Sequence, residues 1–239
     1  MLIEFTGCTG CGKTTFSEQL IGKLSDKGFE IIAVHPKRFF AGIMRRRIAN
    51  EMIQNVIMDL IAIPMILLSL KRHRNLLFFW TKTLMRDADS TFAAITCLRG
   101  IIRKVGIYEF LRRKRFLDKT VIVDEGVVHS AHNLFVHLNS SPNPKDIVEY
   151  SSLIPLPDIL VYVRCPKEIL LDRTLSRSDQ SRRIRHANVK KFLDHAYDVF
   201  EALISLDRIA EKTITVDCSE RSYDLAETLA KQMVLPESQ

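Results

Sequence analysis

The sequence predicts an α/β sandwich on a parallel sheet of about five strands, with a long helical insert between the second strand and the third. Three observations carry that expectation. Short, nearly continuous apolar runs recur along the chain, most of them lead into a helical pattern, and one long stretch has almost no turn chemistry. Apolar runs of this length suit strands buried on both faces, as a parallel sheet requires.

In order, Leu2–Thr6 enters a glycine-rich loop and then the periodic segment Lys13–Lys27, and Glu30–Val34 is the second strand. Thr120–Asp124 precedes a helical pattern over Val127–Leu138, and Asp158–Arg164 precedes Pro166–Ser176 and then Asn188–Leu206. Lys212–Asp217 and the helical segment Tyr223–Met233 close the chain before a frayed tail. Residues 1–36 and 119–239 therefore read as the core, and 37–118 as an insert of several helices.

Within the insert, Met52–Leu70 is the most hydrophobic stretch, flanked by Arg45-Arg46-Arg47 and Lys71-Arg72. A membrane span needs about 20 predominantly apolar residues. Gln54, Asn55 and Asp59 interrupt this one, and Pro64 would kink it. A buried helix of the insert is the expectation, and a helix lying on a membrane surface is the alternative.

The charge is uneven. The whole chain is +7, but residues 37–115 hold 17 Lys/Arg against 5 Asp/Glu. A basic insert suits an anionic acceptor or a peripheral membrane contact through 45–84; no recognition motif accompanies it, which makes nucleic acid the weakest candidate partner. The five cysteines are odd in number and mostly scattered, which fits a reducing compartment. The N-terminus has no basic n-region, so a cytoplasmic location is expected, peripheral at the membrane if the insert binds it.

Gly7-Cys8-Thr9-Gly10-Cys11-Gly12-Lys13-Thr14 matches G-x-x-x-x-G-K-[ST], after an apolar strand and before a helix. Glycines there let backbone N–H groups cradle the phosphates of ATP or GTP, and the helix N-terminus adds its own amides. Lys13 would face the β- and γ-phosphates, Thr14 would ligate Mg²⁺, and Thr15 would reach the α-phosphate. The Cys8-x-x-Cys11 pair fills free positions of this loop, and its place near a helix N-terminus would favour thiolate.

Asp124, at the end of a buried strand, is the candidate carboxylate for Mg²⁺, and Glu125 is the candidate general base, unless the two exchange roles. Arg173 and Arg177, with Arg182 and Arg183 beyond, look like a flap closing over the triphosphate. His129, His132 and His137 would spread over a wide arc of one helix, which suits polar pocket lining better than a metal cluster.

Together these elements resemble the nucleoside and nucleotide kinases of the thymidylate kinase type. The resemblance covers the two ends outside the insert: the loop at Gly7–Thr14, the strand ending in Asp124, Pro157–Val163, the Arg173…Arg177 flap, a helix carrying Phe192, Tyr197 and Phe200, and Ile214–Ser219. It implies a flap over ATP and an acceptor site between the sheet ends and the inserted helices. Two departures matter. His35-Pro36-Lys37-Arg38 stands where that family has an Arg-Glu-Pro-like signature, and Glu125 stands where it has an Arg that grips the acceptor's phosphate. Phosphoryl transfer carries over; thymidylate as acceptor does not. Lys37 and Arg38 would bind an anionic part of the acceptor, with His129, Arg182 and Arg183 near it.

Two further functions stay open. One is a sugar or lipid-linked glycan kinase at the membrane surface. The other is a P-loop ATPase or switch acting through a partner, which would expose a large apolar patch on 52–84.

Overall fold

The computed structural model describes residues 1–34, 51–88, 90–113, 119–137, 141–176, 188–217 and residue 227, the side chains of Glu51, Met52 and Gln54 excepted. Five strands form one parallel sheet in the order β2-β3-β1-β4-β5. They are β1 (Leu2–Thr6), β2 (Ile31–Val34), β3 (Thr120–Asp124), β4 (Ile159–Arg164) and β5 (Thr213–Asp217). Helix α1 (Lys13–Asp26) follows β1 directly, and its Phe16, Leu20 and Leu24 are buried against the sheet, with Phe16 tilted on Phe5 at 6.0 Å. β1 lies between β3 and β4, with Phe5 opposite Asp124 and Thr6 opposite Tyr162. That register brings the acid at the end of β3 beside the loop that leaves β1.

Among the described residues between β2 and β3 are three long helices, α2 (Glu51–Leu68), α3 (Leu70–Asp87) and α4 (Thr91–Leu111). α2 and α4 approach so closely that a Cβ on Gly106 would lie 2.3 Å from the Ala62 carbonyl oxygen, so only glycine fits there. Asp59 is not stranded in its apolar stretch: Arg103 Nε donates to it at 2.7 Å and Arg99 joins from the same face of α4. At the other end of the pair, the buried Glu109 is held by His73 at 2.9 Å, Arg72 at 3.2 Å and Ser69 at 3.3 Å. A charge removed from water is stable only when paired in this way.

α2 departs from the expected buried helix. Met58, Ala62 and Ile66 face the core, while Ile53, Val56, Leu60, Ile63 and Leu67 lie on the outside, 46–67% exposed. The reason is that α3 and α4 cover only one side of it. Pro64 sits inside α2 without ending it. Among the described residues, no helix is long and apolar enough to cross a membrane.

After β3 come α5 (Ser130–Phe135), α6 (Pro144–Leu153), α7 (Lys167–Leu175), α8 (Val189–Ile204) and the short α9 (Asp207–Ala210). α5 starts later than the expected Val127, because the preceding residues turn to meet Glu4 of β1: the His129 amide donates to its Oε1 at 2.9 Å. α6 was not expected, although Asn143 caps it by accepting the Lys145 amide at 3.0 Å and Pro144 occupies its first turn. The expected helix over 223–233 lies outside the described residues, apart from residue 227.

Candidate active site

The loop between β1 and α1 has Gly7, Gly10 and Gly12 at φ of +141°, +89° and +95°, conformations that side chains oppose. Gly7 is doubly required, since a Cβ there would sit 2.4 Å from the Val163 carbonyl oxygen of β4. Thr9, Thr14 and Thr15 are exposed at the loop and first helical turn. Lys13 is buried and folds back over the loop, donating to the carbonyls of Gly7 at 2.9 Å and Cys8 at 3.1 Å. An ammonium held against two carbonyls of this loop is placed to meet phosphate oxygens.

Cys8 and Cys11 line the underside of this loop and are 2% and 1% exposed. Burial pushes the Cys8 thiol up to about 12 and raises Cys11 as well. The thiolate expected from the helix N-terminus is corrected: desolvation outweighs the dipole.

Asp124 and Glu125 part company at the end of β3. Thr14 Oγ1 donates to Asp124 Oδ2 at 3.2 Å, so a hydroxyl and a carboxylate from two elements converge on one point. Both are hard oxygen donors, the kind Mg²⁺ takes, and the pair fits that ion. Glu125 has left-handed backbone, φ +60°, and its carboxylate meets different partners. Its Oε1 lies 3.6 Å from Lys13 Nζ and 3.6 Å from His129 Nε2. With His129, Lys13 and Lys104 around it, its carboxyl is held well below the usual range. Burial lowers the His129 pKa and favours its neutral ring, so the standing positive charge acting on Glu125 is that of the lysines.

His129 lies beneath Glu125, buried, with Nδ1 3.3 Å from Thr6 Oγ1. It stacks on His132 at 5.7 Å, and both rings pack against Phe200 of α8. His137 is apart from them and bonds the Leu134 carbonyl at 2.9 Å. No group of His, Cys, Asp and Glu among the described residues could hold a metal as a cluster of three or more. Arg173 approaches the loop from the last turn of α7, with Nη1 3.9 Å from where a Cβ on Gly12 would be and 3.9 Å from Cys165 Sγ. Arg177, Arg182, Arg183, Lys37 and Arg38 lie outside the described residues.

A cavity of about 150 Å³ opens between the ends of β2 and β3 and the helices α2 and α4. Asp124 and Glu125 form its floor with Glu4 beside them, Met58, Ile107 and Leu111 form its apolar wall, and Lys104 and Arg103 are its basic residues. No hydrogen bond or ion pair joins the Lys104 ammonium to another described residue, and burial lowers its pKa. Arg103, by contrast, is tied to Asp59 and to Asn55 Oδ1 at 2.7 Å. His129 is not on the cavity wall and meets it through Glu125 and Glu4, which are. Sequence reasoning missed Lys104 and the wall residues of α2 and α4, because Lys104 is one of many basic residues in the insert. Glu4 was missed too, although a carboxylate in the middle of a buried strand was a visible signal.

This architecture has counterparts of known structure. Deoxyadenosine kinase from M. mycoides, with the products dCMP and a flexible dCDP bound, superposes with a TM-score of 0.55 at 14% identity, covering 98% of each chain. The fold is that of the P-loop nucleoside and nucleotide kinases. The same M. mycoides enzyme with dATP bound gives 0.51 at 15% identity, over 98% of this chain and 99% of that one. Thymidylate kinase from Ehrlichia chaffeensis gives 0.51 at 14% identity, over 98% and 97%. No protein-family model matches the chain, and no curated protein matches it.

Proposed function

We propose that this protein is a kinase that moves the γ-phosphoryl group of ATP to an oxygen of a small, nucleoside- or nucleotide-like acceptor. The observation that carries the reading is the cavity floored by Asp124 and Glu125, which lies beside the phosphate loop and is roofed by the insert. A nucleotide on the loop and an acceptor in the cavity would meet at those two carboxylates. The overall fold, shared with kinases whose structures hold dATP or dCMP, supports it.

In this reading the loop amides and Lys13 bind the β- and γ-phosphates. Thr14 and Asp124 would hold Mg²⁺, which when bound neutralises charge on the phosphate oxygens. Glu125 orients the acceptor hydroxyl and takes its proton as the oxygen–phosphorus bond forms and the β–γ bridging bond breaks, leaving ADP. A carboxylate of low basicity suffices, because a loose phosphoryl transfer asks mainly for positioning and charge stabilisation. Arg173 supplies positive charge at the edge of the loop, and on the sequence alone Arg177, Arg182 and Arg183 are expected to add to it. Lys104 offers a donor to the far part of the acceptor, alongside Lys37 and Arg38. The apolar wall excludes water and so favours the acceptor over hydrolysis.

One observation favours a second reading. The exposed apolar side chains of α2 are what an ATPase coupled to a partner through the insert would present. ADP production from Mg·ATP separates the two. Turnover that needs a nucleoside, nucleotide or sugar and vanishes in Lys13→Ala supports the kinase. Steady turnover without acceptor, lost in Lys13→Ala, supports the ATPase.

A further inference from the structure

Glu4 is out of place by the logic of its own strand. It sits in the middle of the central strand β1, between Val123 and Leu160 on the neighbouring strands, and is 2% exposed. An apolar side chain would suit that position better, since a buried carboxyl must find partners. Its hydrogen-bond partners lie in one segment, the turn that follows Asp124 and Glu125, while Lys104, which lines the same cavity, adds its positive charge. Oε1 accepts the His129 amide at 2.9 Å, and the amides of Val127 and Val128 face the same carboxyl. On the other oxygen, Gly126 packs so tightly that a Cβ there would fall 2.6 Å from Oε2. Tyr150 pins the same turn from behind, donating to the Val127 carbonyl at 2.7 Å.

What this turn holds is Glu125. A non-glycine residue at φ +60° keeps that conformation only when its surroundings over-determine it. The neighbours that do so are the turn on its C-terminal side and His129, whose ring meets the Glu125 carboxylate and whose amide is bound to Glu4.

We propose that Glu4 is a positioning residue for the reaction: by binding the His129 amide and packing on Gly126, it fixes the backbone of Glu125 and the direction of its carboxylate. This rests on the kinase reading, in which Glu125 orients the acceptor. The role needs a hydrogen-bond acceptor of this shape and not a negative charge. Burial pushes the Glu4 carboxyl up to about 7, so the neutral form is already accessible where the enzyme works. Glutamine should therefore replace it.

The test is steady-state phosphoryl transfer with the full chain, comparing Glu4→Gln, Glu4→Ala and Gly126→Ala. Glu4→Gln should stay within about threefold of the parent kcat, whereas Glu4→Ala should lose roughly 10- to 100-fold, the scale of a misplaced reacting group. The KM for ATP should move less than about twofold in either, since the phosphate loop is untouched. In a Glu125→Gln background, Glu4→Ala should cost less than about a further twofold, because the two act through one carboxylate. Gly126→Ala, which retains Glu4 and crowds it from the other side, should reproduce the kcat loss and answers for Glu4→Ala should that variant not fold. Full kcat in Glu4→Ala, or an undiminished loss in the Glu125→Gln background, would overturn the proposal. Hydrogen exchange of the Val127–His129 amides gives a second readout, independent of turnover. Protection should persist in Glu4→Gln and drop in Glu4→Ala; protection unchanged in Glu4→Ala would overturn the strut. A parent protein with no acceptor-dependent transfer would instead overturn the kinase reading, and the exchange data would still judge Glu4.

Discussion

His132 should add to the acid sensitivity of the fold, and replacing it with Phe should remove that share. Its ring is packed among His129 at 5.7 Å, Phe192 at 5.2 Å and Phe200 at 6.2 Å, with Nε2 buried and without a hydrogen-bond partner among the described residues. Burial lowers its pKa to about 4, against 6.5 for the open ring. Between those values the unfolded chain binds the extra proton and the folded chain does not, so stability is lost as pH falls from 6.5 towards 4. Each pH unit in that window costs about 1.4 kcal/mol per group, hence about 2 kcal/mol between pH 6.5 and 5. Glu4 contributes with the opposite sign: its pKa, raised to about 7, favours the folded state as pH falls from about 7 towards 4.5. The neighbouring His129, whose pKa burial also lowers, acts with the same sign as His132. Both contributions are present in both proteins and cancel in the difference. Phe should pack on Phe192 and Phe200 without a buried orphan nitrogen. Urea unfolding of both proteins at pH 7.5 and 5.0 measures the effect. His132→Phe should gain on the parent by about 2 kcal/mol between the two pH values. Parallel pH dependence in the two proteins would refute the reasoning.

Other expectations follow from single contacts. Asp124→Asn keeps an acceptor for Thr14 but loses the charge, and should cut kcat by roughly 100-fold or more, read in the acceptor-dependent assay across a Mg²⁺ titration. Gly106→Ala drives a Cβ into the Ala62 backbone and should destabilise by about 1–3 kcal/mol, visible as a lower urea midpoint. Cys8 and Cys11, buried with raised pKa, should resist alkylation by iodoacetamide at pH 8 in the folded protein and react once it is unfolded in urea.

The inner strands β1, β3 and β4 were legible because both their faces are covered, which writes each as a nearly continuous apolar run. Leu2–Thr6 and Thr120–Asp124 agree with the sequence reading at both ends. The loop and Asp124 were legible for a related reason, since glycine conformations and a strand-end acid are local features. Contacts that join distant parts of the chain left no such trace. Glu4 meets His129 across 125 residues, and nothing near either one announces the other. Lys104 enters the cavity only because α4 packs on α2 through Gly106. The outer face of α2 was misjudged because hydrophobicity alone does not say how many neighbours a helix will have. The cysteine chemistry was misjudged because the helix dipole can be inferred from sequence, whereas depth of burial cannot.

The fate of the γ-phosphoryl group tests the central claim most directly. Purified protein would be incubated with γ-labelled Mg·ATP and a panel of nucleosides and nucleotides, with Lys13→Ala in parallel. The account predicts label on one class of acceptor, little label in free phosphate, and neither product with Lys13→Ala. Label released as free phosphate at the same rate with or without acceptor would contradict it.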